Sequence, residues 1–350
     1  MKKVLIWLMV LIIATSLALI GVGCKEEPVK EAVEEENMEE AVEEENMEEA
    51  VEEEAMDPAN VKIRVVYHGT SLLFAQLINA GVVAAQEELG ADVKMVGPIE
   101  SNVDEQVAII EDLIIQEVDG IATTNVNSEA FNPVIKRAID AGIPVVEYNS
   151  QPSGEKSVRL AFIGQSLKES GREAARILVE YMGEKGKVAI TTGDAAAAWS
   201  QDRESGVREI LDQYPNIEVV SVTDAGWEEQ AMYAACENTL LSKELDGIIS
   251  LDCCSTYGMG RAIRAHEMVG ELVHIGYDLF PETLENIDAG ATQATLGQEP
   301  FLQGYVTVME LYEHIVNGKP LEDIWTDIYR CDDSNVAEWL EKVANGELVG

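Results

Sequence analysis

Short apolar segments rich in Val and Ile alternate with amphipathic stretches from Val61 onward. Residues 72–89 and 102–117 have the period of helices that bury one face. Ten segments are typical of strands, at 62–68, 92–97, 120–125, 144–149, 159–164, 187–193, 218–223, 247–252, 273–278 and 294–298. This alternation favours parallel sheets with helices on both faces. Because the strands form two successive sets of five, we predict an α/β protein with two lobes.

The charge of the chain restricts its partners. The formal net charge is −41 over 350 residues, while 47% of the residues are hydrophobic. A surface this acidic repels nucleic acid, whose binding needs Lys and Arg, and is not attracted to anionic lipid headgroups. Two interpretations remain open: a surface that keeps the protein soluble, or one that attracts cations or cationic ligands.

The N-terminus is typical of an exported protein. Lys2 and Lys3 precede an apolar run over residues 4–20, and small residues lead to Cys24. The position of Cys24 resembles the lipidation site of bacterial lipoproteins, which implies a signal peptide over 1–23. An uncleaved anchor helix, with Cys24 incidental, is the alternative. We expect the protein to be exported and lipid-anchored at the outer face of the cytoplasmic membrane, or periplasmic.

An acidic low-complexity segment follows, over residues 24–57. Residues 30–56 are three nine-residue units: KEAVEEENM, EEAVEEENM and EEAVEEEAM. Nine residues advance a helix by about two and a half turns, so successive Ala-Val pairs fall on opposite sides and form no continuous stripe. Like charges four residues apart weaken a helix further. We predict a self-repelling tether between the membrane and the folded part.

Polar residues end several predicted strands. Ligands bind beyond the carboxyl ends of the strands in open parallel sheets. Single Asn or Asp residues at these positions often only cap helices, but several together predict a polar site. The residues are Asn125, Asn149, Asp252, Asp278 and Gln298.

Motifs of enzymes are missing from the sequence. There is no GxxxxGK[ST], no HExxH and no GxSxG. The four histidines are scattered, and there is no Cys/His constellation. We therefore expect no catalysis, no cofactor and no metal.

The order of motifs over residues 61–350 resembles the periplasmic sugar-binding proteins of the ribose-binding type, which serve bacterial ABC importers. The helix-turn-helix of the related repressors is absent. The segments that carry the resemblance include GVVAAQEELGADV (81–93), DRESGVREIL (202–211), DGIISLD (246–252), VHIGYD (273–278) and GATQATLGQEPFLQGYVTV (290–308).

This resemblance implies two Rossmann-like lobes joined by a three-segment hinge, with a ligand in the cleft between them. The implied first lobe comprises residues 58–162 and 299–327, and the second 163–298 and 328–350. The implied partners are a monosaccharide and an ABC transporter permease, for a monomer that meets the membrane only through its lipid. Two alternatives stay open: a sensor lipoprotein for a non-sugar or autoinducer-2-like ligand read by a receptor, and an extracytoplasmic enzyme.

The resemblance also assigns ligand-binding residues. Phe74 and Trp227 match aromatics that stack on the sugar, and Trp199 adds a wall. Ser150 and Gln201 stand where the family often has Arg, so the expected pocket is acidic without a counter-charge, although Arg203 lies nearby. The polar ligands carried over are Asn149, Gln201, Asp252, Asp278 and Gln298.

The four cysteines after Cys24 suggest a further hypothesis. Disulfides are plausible in an exported protein. Cys331 is expected after the last strand, where the family has its third crossover. The hypothesis is a bridge from Cys331 to Cys253 or Cys254, and the alternative is four free thiols.

Overall fold

The computed structural model describes residues 57–151, 158–242 and 244–347. The predicted signal peptide, Cys24 and nearly all of the predicted tether lie outside these residues. Among the helices described, none is both long enough and apolar enough to cross a bilayer.

The first lobe is built on one six-stranded parallel sheet. Its strands lie in the order β11-β5-β4-β3-β1-β2, and all neighbouring pairs are parallel. The strands are β1 (Lys62–Val66), β2 (Asp92–Val96), β3 (Gly120–Thr123), β4 (Val145–Tyr148), β5 (Ala161–Gly164) and β11 (Ile324–Trp325). The helices of this lobe are α1 (Leu73–Leu89), α2 (Val103–Ile115), α3 (Ser128–Asp140) and α9 (Pro300–Asn317).

The second lobe repeats this plan with one exception. Its sheet has the order β12-β10-β9-β8-β6-β7, and only β12 is antiparallel to its neighbour. The strands are β6 (Lys185–Thr192), β7 (Asn216–Asp224), β8 (Gly247–Ser250), β9 (Val273–Tyr277), β10 (Ala294–Gly297) and β12 (Tyr329–Asp332). The helices are α4 (Leu167–Met182), α5 (Ala198–Leu211), α6 (Glu229–Ser242), α7 (Cys253–Ala265), α8 (Pro281–Asp288) and α10 (Val336–Ala344).

The ten predicted strands and the two-lobed α/β class are confirmed. The two short strands β11 and β12 were missed. The chain passes between the sheets three times, at residues 165–166, 298–299 and 326–328. The lobe boundaries given above stay a prediction, although sheet membership places all of β5 in the first sheet, because β5 pairs with β4 over Ala161–Ile163.

Close helix packing fixes the position of α5, which carries site residues. A Cβ on Gly171 of α4 would lie 2.1 Å from the carbonyl oxygen of Arg203, and one on Gly206 would lie 2.0 Å from that of Lys168. Only glycine permits this approach, because any side chain would push the two backbones apart. The pair of glycines therefore seats α5 directly on α4.

Candidate functional site

The carboxyl ends of both sheets face a common cavity. It encloses about 530 Å³ of space not filled by protein atoms, including its mouth. Cys253 and Phe280 of the second lobe share one buried apolar cluster with Tyr67 and Phe74 of the first, so the lobes are closed on each other. The lining residues are Tyr67, His68, Leu72, Leu73, Phe74, Asn149, Leu167, Trp199, Arg203, Trp227, Asp252, Cys253, Cys254, Asp278 and Gln298.

Seven of the eight predicted ligand-binding residues line this cavity. Two of them, Asn149 and Asp278, directly follow β4 and β9 and have left-handed backbone conformations, with φ of 58° and 67°. Asn and Asp enter this region more easily than other side chains, though at some energetic cost. Such local strain at the end of a buried strand is typical of functional sites.

Asp278 is the carboxylate with room for a ligand. It is 2% exposed, and the side-chain amide of Gln298 donates to its Oδ1 at 2.8 Å. No donor among the described residues reaches its Oδ2. Burial raises the pKa of Asp278 to about 6, Arg203 and the Gln298 bond act in the opposite direction, and Asp252 raises the pKa further. This carboxylate is therefore ionised at neutral pH and keeps acceptor capacity for a ligand.

Asp252 also lines the cavity, but its carboxylate is engaged by the protein. The backbone N–H of Ser255 donates to Oδ1 at 2.9 Å. The backbone N–H of Gly193 and the Ser255 hydroxyl both donate to Oδ2, each at 2.7 Å. Burial raises its pKa, which these hydrogen bonds and Arg203 counteract. Asp252 is thus the N-cap of α7, and its main bonds are structural.

Arg203, rather than Gln201, supplies the polar group that α5 directs to the cavity. Arg203 is 4% exposed, stacks 3.9 Å over the Tyr277 ring and donates from Nη1 to the carbonyl oxygen of Leu251 at 2.6 Å. Its buried Nε has no hydrogen-bond partner within the described part of the chain. The cavity therefore contains a guanidinium, which corrects the expectation of an acidic pocket without a counter-charge.

The structure does not bring Gln201 to the cavity with the other predicted residues. Its side chain donates to the carbonyl oxygen of Ala196 at 3.2 Å on the exposed side of α5. Trp199 and Arg203 are four residues apart and share a helix face, whereas Gln201 lies about 200° around the helix from Trp199. Ser150 does not line the cavity either, because its hydroxyl bonds the carbonyl oxygen of Asn125 at 3.2 Å.

Aromatic side chains come from both lobes. Trp199 and Trp227 lie side by side, with ring centroids 6.0 Å apart, and Phe74 lies in the first turn of α1. Tyr67 and His68 also line the cavity, although neither is among the predicted ligand-binding residues. Both end the first predicted strand. Burial lowers the pKa of His68 to about 4, so this histidine is neutral at pH 7. Their position as the last two residues of that predicted strand is the sequence signal that could have identified them.

One strand-end residue, Asn125, is structural. It is fully buried, and its amide donates to Glu147 Oε1 at 2.7 Å. Four of the five polar residues that end predicted strands therefore line the cavity, and this one stabilises the first lobe.

A chain of side-chain amides joins the lobes beside the cavity. The Asn149 amide donates to Gln303 Oε1 at 3.0 Å and, more weakly, to Gln298 Oε1 at 3.5 Å. Gln298 in turn holds Asp278. Asn149 of the first lobe is thereby linked through Gln298 to the carboxylate of Asp278.

Two groups resemble catalytic or covalent chemistry but lie elsewhere. The Ser250 hydroxyl is 3.0 Å from His274 Nε2, yet both residues are fully buried and neither lines the cavity. Burial lowers the pKa of His274 to about 3. The four cysteines in the described ranges are free thiols, and Cys331 lies within β12, so the hypothesised bridge is not formed.

Comparison with known proteins identifies the fold and the family. The family model described as "Periplasmic binding protein domain" matches residues 63–320. A solute-binding protein of an ABC transporter from Burkholderia graminis, solved in complex with D-arabinose, is 28% identical with a TM-score of 0.75, over 80% of this chain and 98% of that one.

Curated relatives are named as sugar-binding proteins. The xylose/arabinose-binding protein XylF of Sulfolobus acidocaldarius is 28% identical over 73% of this chain and 66% of its own length. A D-ribose/D-allose-binding protein of Pseudomonas aeruginosa is 25% identical over 69% of this chain and 78% of its own length. With two parallel-sheet lobes closed over one cavity and a family match over most of the folded part, this chain belongs to the periplasmic binding proteins.

Proposed function

We propose that this protein captures a monosaccharide, of pentose or hexose type, in the cavity between its lobes and delivers it to an ABC importer. The observation that supports this best is the cavity's combination of an ionised carboxylate, amides and aromatic rings. The proposal assigns no chemical step to the protein, because the buried Ser250–His274 pair has no access to the cavity.

Each group in the cavity has a defined task in this proposal. The carboxylate of Asp278 accepts hydrogen bonds from neighbouring sugar hydroxyls, and Arg203 donates to a ring or hydroxyl oxygen. Asn149 both donates and accepts. The faces of Phe74 and Trp227 cover the C–H surface of the sugar ring, and Trp199 beside Trp227 adds a wall, so water is excluded.

Relatives support the sugar class. The Burkholderia graminis protein binds D-arabinose, and the curated relatives are named for xylose, arabinose, ribose and allose. All of these ligands are neutral aldoses that present several neighbouring hydroxyls to the protein. A neutral polyhydroxylated ring also fits a cavity in which Arg203 balances much of the carboxylate charge.

We further propose that the protein is lipidated at Cys24 and that the acidic segment up to residue 57 is a tether. The n-region, apolar run and small residues before Cys24 support this. Metabolic labelling with a fatty acid should label the wild type but not Cys24→Ser. Labelling of that variant, or none of the wild type, would contradict lipidation.

A thermal-shift screen of the full chain in mild detergent tests the ligand class. The panel contains pentoses, hexoses, polyols and amines. A ligand that binds only the native state at a hundredfold excess over Kd should add about 2.7 kcal/mol to its stability. A shift with one or two aldoses supports the proposal. A shift with amines alone would replace the carbohydrate assignment by a cationic ligand.

A further inference from the structure

Two adjacent thiols lie on the wall of the cavity at the start of α7. Cys253 and Cys254 both line the cavity, and their sulfur atoms are 3.6 Å apart. The preceding residue is Asp252, and one ligand atom from each of the three residues lies within 4.8 Å of the other two. Neither thiol has a task in sugar capture as proposed above.

The spacing of the sulfurs matches a tetrahedral metal. A zinc ion bound at about 2.3 Å by two thiolates, at the tetrahedral angle, places the sulfurs about 3.8 Å apart. The observed 3.6 Å needs only a small adjustment of the side chains. Thiolate ligands select soft or borderline cations over Mg²⁺ and Ca²⁺, which prefer oxygen.

Asp252 is held as metal-binding carboxylates usually are. Carboxylates that bind metals are commonly oriented by hydrogen bonds from surrounding groups. Here the Ser255 N–H, the Ser255 hydroxyl and the Gly193 N–H perform this role. Oδ1 accepts only one of the three bonds, so it retains a lone pair.

The electrostatic surroundings favour a cation. The chain carries a net charge of −41, which raises the local concentration of cations. The Asp278 carboxylate adds further negative charge close to Cys253 and Asp252. Arg203 is the opposing charge, and it acts on the carboxylates of Asp252 and Asp278. The hydrogen bond with Cys254 and burial raise the pKa of the Cys253 thiol, so a cation must displace its proton on binding.

We propose that Asp252, Cys253 and Cys254 form a binding site for a thiophilic divalent cation of tetrahedral preference, such as Zn²⁺ or Cd²⁺, with its fourth position open to the cavity. Binding replaces the two thiol protons by two metal–sulfur bonds and releases both protons to solvent. The proposal does not depend on the sugar assignment, because its test contains no sugar.

A titration of the reduced full chain with CdCl₂ tests the site directly. Ultraviolet thiolate-to-metal charge transfer reports the binding, and an excess of MgCl₂ saturates the acidic surface. We expect one Cd²⁺ per chain bound through thiolates, with about two protons released per ion, measured by calorimetry in buffers of different ionisation enthalpy. Absence of a saturable charge-transfer band would overturn the proposal.

Cysteine variants locate the site. Cys253→Ser and Cys254→Ser should each weaken Cd²⁺ binding by tenfold or more. Two control variants make the same change elsewhere: Cys331→Ser at a thiol outside the cavity, and Cys24→Ser near the N-terminus. The affinity of both controls for Cd²⁺ should stay within twofold of that of the wild type. Equal binding by all four variants, or equal loss in the two controls, would contradict the assignment. Circular dichroism of each variant verifies that it is folded.

Discussion

The two walls of the cavity differ in chemistry. The formal charges among its described lining residues all come from the second lobe: Arg203, Asp252 and Asp278. The first lobe contributes neutral side chains, among them Phe74 and a histidine whose pKa is lowered to about 4 by burial. We infer that the second lobe provides most of the recognition energy and that the first lobe covers the bound ligand and excludes water.

The two edges of the cleft differ as well. At the crossovers, the fully buried Gln165 donates to the carbonyl oxygens of Gly297 at 3.0 Å and Asp327 at 3.2 Å, so one side chain of the first connecting segment holds both the third segment and the end of β10. Farther from the crossovers, the backbone N–H of Ala198 donates to the carbonyl oxygen of Val126 at 3.1 Å. When the lobes swing apart about the crossovers, the bonds of Gln165 can persist, whereas the bond between Ala198 and Val126 must break.

The largest effect is expected at the charged wall. Asp278→Asn should weaken sugar binding by about 10- to 150-fold, because an ionised acceptor contributes about 1.5–3 kcal/mol. Calorimetric titration measures this. Asp252→Asn is the matched control. Since Asp252 caps α7, this variant should mainly lower the free energy of unfolding and should change the sugar affinity less than Asp278→Asn does. Equal losses of sugar affinity in Asp278→Asn and Asp252→Asn would contradict the assignment of Asp278 to the ligand and of Asp252 to the structure of the lobe.

The next effect concerns pH. The pKa of Asp278 is raised to about 6 by burial, so below this pH its carboxyl is protonated and a ligand that requires the ionised form must displace that proton. Affinity should fall by about tenfold per pH unit below pH 6. Fluorescence titrations from pH 4.5 to 8 measure the profile. A flat profile in the wild type, or an unchanged one in Asp278→Asn, would contradict the assignment.

A smaller effect tests the edge that must open. Ala198 is the first residue of α5, and Ala197 before it is extended with ψ of 140°, a context that accepts proline. Ala198→Pro should replace the N–H donor to Val126 by a ring methylene that cannot approach the carbonyl oxygen as closely, with little damage to the helix. Ligand binding should weaken by about 2- to 10-fold or more through faster dissociation. Stopped-flow release measures it.

Ala198→Gly is the control for this edge. It keeps the N–H while lowering helix stability by up to about 1 kcal/mol. Glycine should therefore change the unfolding midpoint but not the dissociation rate. If both variants release ligand at the wild-type rate, the Val126–Ala198 bond does not stabilise the closed form.

The smallest effect is expected at the neutral wall. Phe74→Leu keeps an apolar side chain in the core of the first lobe but removes the aromatic face, so affinity should fall by roughly two- to fivefold. A loss as large as that of Asp278→Asn, measured in the same titration, would mean that the first lobe recognises the ligand rather than covering it.

The fold was largely predictable because it rests on periodicity. The strands β1 to β10 contain short apolar runs rich in Val and Ile, buried throughout in β3, β4, β5, β8 and β10, and all ten were apparent. The strands β11 and β12 were not, because Ile324–Trp325 has only two residues and β12 reads YRCD, with no apolar run. These strands form by pairing with β5 and β10, which are distant in sequence.

The site was predictable where strand ends define it and not where a helix face does. Asn149, Asp278 and Gln298 follow strands, so their common location follows from topology. Choosing Arg203 over Gln201 required knowing which face of α5 meets the cavity. That orientation is set by the close approach of α4 and α5 at Gly171 of α4 and Gly206 of α5, which the sequence alone does not reveal.

Capture of a sugar by the Asp278 carboxylate can be measured by calorimetric titration of the full chain at pH 7.5 with the aldose selected by thermal shift, in wild type and Asp278→Ala. We expect saturable binding of one sugar per chain in the wild type and a loss of at least tenfold in the variant. A wild type that binds no neutral sugar, or a variant that binds as tightly, would contradict capture of a monosaccharide by the Asp278 carboxylate.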